Sequence, residues 1–179
     1  MDDIEKLIQA LTSVSPMPSD DDPELTPEKL DSYAELIQQI LNVLRSSQLD
    51  EETRLIIPLL NSFGYGDGYG VYWLTLSALE KFPISILRPA LGDALKNGER
   101  GTRMWCAIML GRTRDPANSG ILVSSLKDAE IKVRISALEA LALIRNLSSK
   151  EAIKELYDDP VEEVRQSAIE AMSALTGAS

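Results

Sequence analysis

The chain has 179 residues, one cysteine, no histidine and a formal net charge of −10. That length can bury a sizeable core in one domain. A lone Cys106 excludes an internal disulfide framework and fits a reducing compartment. The lack of histidine excludes Ser/His and Cys/His nucleophilic sites and most zinc sites.

The charge is uneven. Residues 1–52 hold 13 acidic and 3 basic side chains, whereas the remainder balances at 15 of each. Within that remainder, residues 53–114 carry 8 basic against 4 acidic. An acidic N-terminal third serves solubility or steers the chain towards a basic partner. A nucleic-acid scaffold needs a clustered basic face, so nucleic acid is not an expected partner.

Apolar spacing predicts a helix over Asp2 to Val14, with Ile4, Leu7, Ile8 and Leu11 on one face. The acidic start lacks the basic and apolar regions of a signal peptide, and no apolar run is long enough to span a membrane. A cytoplasmic location without membrane contact is expected. Ser15 to Pro27 reads as a loop. Its Asp20-Asp21-Asp22 run invites calcium, but calcium loops need alternating oxygen ligands, a glycine and a distal glutamate. A solvated, mobile loop is the expectation, with no metal and no cofactor. Thr26 can cap the next helix, with Pro27 at its first position. Leu30, Tyr33, Ala34, Ile37, Ile40, Leu41 and Leu44 form its apolar stripe. Asp50 to Phe63 reads as a further helix, with Pro58 at a kink or bend.

Gly64-Tyr65-Gly66-Asp67-Gly68-Tyr69-Gly70 is the most unusual segment. No Gly-Lys-Ser/Thr follows, so it is not a phosphate-binding P-loop. A helix rather than a strand precedes it, so it is not a dinucleotide fingerprint. A tight turn explains some of the glycines. It leaves unexplained the tyrosines and the adjacent Tyr72-Trp73, whose composition matches a recognition surface. The turn and the binding loop stand as competing readings. Val71 to Phe82 reads as the next helix, ended by Pro83, and Ile84 to Lys96 pairs with Gly101 to Gly111.

From here the chain repeats. Arg103, Arg134 and Arg165 are 31 residues apart, and Leu110, Leu141 and Met172 fall in the same register, as do Glu139 and Glu170. A fixed period of this size marks a solenoid of stacked units. Pro116 to Lys127 pairs with Ile131 to Ile144, and Lys150 to Tyr157 with Val161 to Leu175. Cys106, Ala137 and Ala168 share one small apolar slot, which reads as a buried structural thiol. Asn97, Asp128 and Asp159 each precede a register arginine by six. Such pairs can form a hydrogen-bonded ladder between repeats; the alternative makes the arginines phosphate ligands. The same register sets Trp105 opposite Ser136 and Ser167, and Ile108 opposite Glu139 and Glu170. Trp105 is therefore either core or part of an exposed aromatic patch.

Arg103-x-x-Cys106-Ala107-x-x-Leu110-Gly111, with Arg114-Asp115-Pro116 and Ile121-x-x-x-x-Leu126 after it, resembles the short HEAT-like repeats of the phycobiliprotein-lyase type. The resemblance covers roughly residues 84–176. It implies an α-solenoid that binds other macromolecules, in a family that also holds enzymes. Histidine-ligated di-iron hydroxylases do not fit a chain without histidine. DNA glycosylases of this type use a basic groove with aromatics and an aspartate, which Trp73, Trp105 and Asp67 echo faintly against an acidic charge. Bilin lyases share the repeat, yet this chain is short for that role and its N-terminal half does not match.

The expectation is all-α, a right-handed α-solenoid of antiparallel helix pairs forming one domain over 1–179. Residues 1–63 would be atypical capping helices, 64–98 a degenerate repeat and 99–179 the regular repeats. The expected function is a non-catalytic scaffold or adaptor that recognises one protein partner. Tyr65, Asp67, Tyr69, Tyr72, Trp73 and Trp105 would make the contacts, with Arg100 and Arg112 at the rim. One alternative is an immunity protein neutralising a cytoplasm-acting toxin with a basic domain; another is a HEAT-like enzyme of the bilin-lyase or glycosylase type. No oligomeric state is specified.

Overall fold

A computed structural model describes residues 2–46 and 51–177. Among them are ten α-helices and no strand. No helix among the described residues is long and apolar enough to cross a membrane. The chain divides into two compact units, Met1–Thr102 and Arg103–Ser179.

In the first unit, α1 (Asp3–Val14) is capped by Asp2, whose carboxylate accepts from the Glu5 amide at 2.7 Å. Helix α2 (Pro27–Ser46) starts as its sequence predicts: Thr26 Oγ1 accepts from the Lys29 amide at 3.3 Å. The expected helix from Asp50 to Phe63 is replaced by two shorter elements, while Asp50 lies outside the described residues. A 3-10 turn spans Glu51–Leu55 and α3 spans Ile56–Asn61. Pro58 is the third residue of α3, where its missing N–H would have had no partner within the helix. It therefore sits inside the first turn of α3, just after the 3-10 turn. Helices α4 (Tyr72–Leu79) and α5 (Ile84–Asn97) follow.

The core of this unit gathers Leu11, Ile37, Leu55, Leu59, Tyr33, Phe63 and Tyr72, all buried. Tyr72 meets the rings of Tyr33 and Phe63 edge-to-face, with centroids 5.8 and 6.0 Å apart. The Tyr33 hydroxyl hydrogen-bonds with Ser62 Oγ at 2.7 Å and Thr75 Oγ1 at 2.6 Å. Burial of these three hydroxyls is tolerated because they satisfy one another.

Helix α6 (Arg100–Arg112) crosses the unit boundary in its first turn. The second unit continues with α7 (Ser119–Ser125), α8 (Ile131–Ile144), α9 (Lys150–Glu155) and α10 (Glu162–Thr176). Helix α7 packs on α8, α9 on α10, and α8 on α10. The helix expected over Lys150 to Tyr157 ends early, in a 3-10 turn at Leu156–Asp158, and the one expected from Pro116 starts late, after a 3-10 turn at Pro116–Asn118; a matching 3-10 turn at Leu147–Ser149 precedes α9. Asp115 and Asn146 cap the last two of these turns through the amides of Ala117 and Ser148. The slot shared by Cys106, Ala137 and Ala168 is fully buried at all three positions. Gly111 lets α6 lie against Ala140 of α8; a Cβ there would meet the Ala140 Cα and Cβ at 2.6 Å.

The polar ladder is present at its two aspartates, whereas Asn97, the third expected member, donates from Nδ2 to Asp93 Oδ1 at 2.8 Å. Arg103 donates from Nε and Nη2 to the two Asp128 carboxylate oxygens, at 2.7 and 2.9 Å. Arg134 Nη2 donates to Asp159 Oδ1 at 3.0 Å. Arg134 and Arg165 also reach back to their own turns: Arg134 Nη1 to the Asp128 carbonyl at 2.9 Å, and Arg165 Nη1 to the Asp159 carbonyl at 2.6 Å. The same aspartates accept from the Glu130 and Val161 amides, both at 2.9 Å. Arg103 and Arg134 are thus committed to carboxylates of the next repeat, not to phosphate.

Candidate functional site

The glycine-tyrosine segment is built from the outside in by one carboxylate. Asp20 accepts from the amides of Asp67 and Gly68, both at 2.9 Å, while its own amide donates to the Tyr65 carbonyl at 3.2 Å. Gly66 has φ 133, and any side chain there would run into the Asp20 carboxylate. Asp67 Oδ1 then accepts from the Tyr69 amide at 2.9 Å. These bonds hold Tyr69 at φ 52 with its ring 74% exposed. Four residues on, at the start of α4, Trp73 is 42% exposed.

Tyr65 is half-buried, with the Arg100 guanidinium 4.5 Å above its ring centroid. Arg100 is therefore a partner of this loop's own tyrosine. Asp67 is exposed but also serves the loop, as the cap of Tyr69.

Two expected contacts are corrected by burial. Tyr72 is 0% exposed and its hydroxyl donates to the Pro18 carbonyl at 3.3 Å, so it anchors the loop to the core. Burial pushes its phenol well above the usual range. Trp105 is 1% exposed, so it offers no surface to a partner. Trp105 and Arg112 belong to the second unit; Arg112 is exposed. The first unit brings together Tyr65, Asp67, Tyr69, Trp73 and Arg100 along one loop and its flanks.

Asp20 is the loop-holding residue that the sequence pattern hides. It belongs to the aspartate run read as a solvated loop, yet it clamps two amides 47 and 48 positions away. No local spacing signals such a pairing. Its neighbour Asp22 makes only a short-range turn, accepting from the Glu24 amide at 2.8 Å.

Among the described residues there is no group of three or more His, Cys, Asp or Glu able to hold a metal ion. Burial pushes the Cys106 thiol far above its ordinary value, which leaves it inert.

Residues 119–179 match the family model for HEAT repeats. That segment contains α7 to α10 and the Arg134–Asp159 rung of the ladder. No curated protein matches the chain.

Proposed function

We propose that this chain, a HEAT-like repeat protein over residues 119–179, is a non-catalytic scaffold that binds one protein partner through the loop and helix start at residues 65–73. The observation that carries this reading is the exposed Tyr69 ring on a backbone fixed by Asp20 and Asp67. A pre-organised aromatic loses little freedom on binding, and tyrosine and tryptophan dominate interface hot spots. Trp73 supplies a second anchor. Repeat proteins of this class commonly serve as interaction surfaces.

The exposed carboxylates Asp3, Asp21, Glu24, Glu28, Asp31 and Glu35 favour a partner with a basic surface. The immunity reading is the version in which that partner is a toxin domain. The test is an affinity pull-down with mass spectrometry, comparing wild type with Tyr69→Ala/Trp73→Ala. One dominant partner, lost in a double variant that melts normally, supports the site. Retention of that partner by the double variant removes the loop from the interface. Co-expression that protects cells from a captured basic toxin domain selects the immunity version.

A further inference from the structure

A second surface lies wholly within the Arg103–Ser179 unit. Helices α8 and α10, with the turns after α6 and α8, line an open groove of about 660 Å³. Its walls include Arg114, Glu139, Leu143, Arg145, Glu170 and Ala174. The lining follows the repeat: Glu139 and Glu170 are 31 apart, and so are Arg114 and Arg145. The groove is therefore not an accident of one loop. The arginines come from the turns after α6 and α8 and the glutamates from α8 and α10, so each charge recurs once at the repeat spacing.

The two carboxylates are not neutralised in place. Desolvation by the groove, followed by the charge of Glu170, holds the Glu139 carboxyl above the ordinary glutamate range. An arginine pairing with it would do the opposite. Neither Arg114, Arg145 nor Glu139 has a side-chain hydrogen bond or ion pair among the described residues. Glu170 takes a bond from Gln166 Nε2 at 2.9 Å, which is neutral. A positive charge is what this pair lacks.

The arginines are placed unusually. Arg114 has φ 52 and Arg145 has φ 56, a conformation that L side chains rarely adopt. Arg145 caps the end of α8; at the end of α10 the corresponding role falls to Gly177, at φ 70. Glycine is the least strained residue at such a position. Arginine there sets a guanidinium at the rim of the groove, beside a floor of Leu143, Ala171 and Ala174.

We propose that this groove binds a peptide segment of a partner protein, with a lysine or arginine side chain seated between Glu139 and Glu170, apolar neighbours on Leu143 and Ala174, and a flanking carboxylate at Arg114 or Arg145. The occupant follows from charge complementarity: a cation between Glu139 and Glu170 relieves the repulsion of two like charges lining one groove, and the rim arginines select acidic flanks. This surface is independent of the 65–73 loop, so either can fail without the other.

The probe is a fluorescein-labelled nonapeptide with a central arginine, leucines on either side and glutamates at both ends. Its control carries glutamine at the centre. Anisotropy titrations on the full chain should show binding of the arginine peptide and weaker binding of the control. Glu139→Gln and Glu170→Gln should each weaken the arginine peptide roughly fivefold, and the double variant more. Because these variants remove a repulsion, they should keep or raise the melting temperature, which separates lost binding from lost fold. In a carbon-13 NMR titration, the bound peptide should bring the Glu139 pKa back towards its ordinary value; Glu170 is the charge that acts on it, and Arg114 and Arg145 line the same groove. Equal binding of the two peptides, undiminished binding by the double variant, or no binding up to about 1 mM overturns the proposal.

Discussion

Arg134 and Asp159 join consecutive repeats across 25 positions, with Nη2 donating at 3.0 Å and Nε 2.9 Å from the second carboxylate oxygen. The Nε contact is an ion-pair distance without hydrogen-bond alignment, so the bond proper runs through Nη2. Both side chains are nearly dry, at 10% and 5% exposed. Arg134→Ala would leave Asp159 charged, buried and short of its cation. A loss of roughly 3–5 kcal/mol in urea denaturation is expected. Arg103→Ala should cost less, because Arg103 and Asp128 remain 20% and 12% exposed. A cost under about 1 kcal/mol for Arg134→Ala would mean that the ladder does not hold the repeats together.

The ladder also sets an acid limit. Desolvation pushes the Asp128 pKa up, but the Arg103 hydrogen bond, the Glu130 amide and the charges of Arg103 and Arg134 bring it below 3.8. A carboxyl with a depressed native pKa contributes stability that is fully present above its unfolded value, near 4, and is lost as pH falls through the native one. Urea midpoints should hold between pH 7 and pH 5 as far as this group is concerned, then drop below pH 4. Asp128→Asn should be less stable at pH 7 and flatter across the acid range. Parallel curves for wild type and variant would show that Asp128 carries none of the effect.

The two tryptophans should separate cleanly. Trp105→Ala empties a fully buried site and should cost roughly 3–5 kcal/mol. Trp73→Ala removes a side chain 42% exposed and should stay within about 1 kcal/mol. Thermal melts decide this, and similar losses at both sites would count against treating Trp73 as an available contact.

Asp20 should control order in the glycine-tyrosine loop without controlling the fold. Asp20→Ala removes the acceptor of the Asp67 and Gly68 amides. Hydrogen exchange at those two amides should quicken by roughly tenfold or more, while amides in the α8–α10 pair stay protected. Unchanged exchange at Asp67 and Gly68 would refute the clamp.

Most of the repeat architecture was legible in one dimension. The 31-residue register placed the buried slot of Cys106, Ala137 and Ala168 and the Arg103 and Arg134 rungs, because stacked units reuse the same packing and the same turn bond. The site was legible only in part. The tyrosine-glycine composition marked the loop, but Tyr72 and Trp105 read as surface and proved buried. Aromatic rings suit a core and an interface equally, so residue type does not choose between them.

The sequence by itself determined most of the helices, their 31-residue repeat and which arginines and aspartates build the ladder, since these depend on spacings within one repeat or between neighbours; the 25-residue pairing came from the structure. Only the tertiary structure decided which aromatics face solvent, that Asp20 clamps a loop far along the chain, and that Glu139 and Glu170 line one groove. Exposure and long-range pairing are sums over packing partners distant in sequence, and no local pattern encodes that sum.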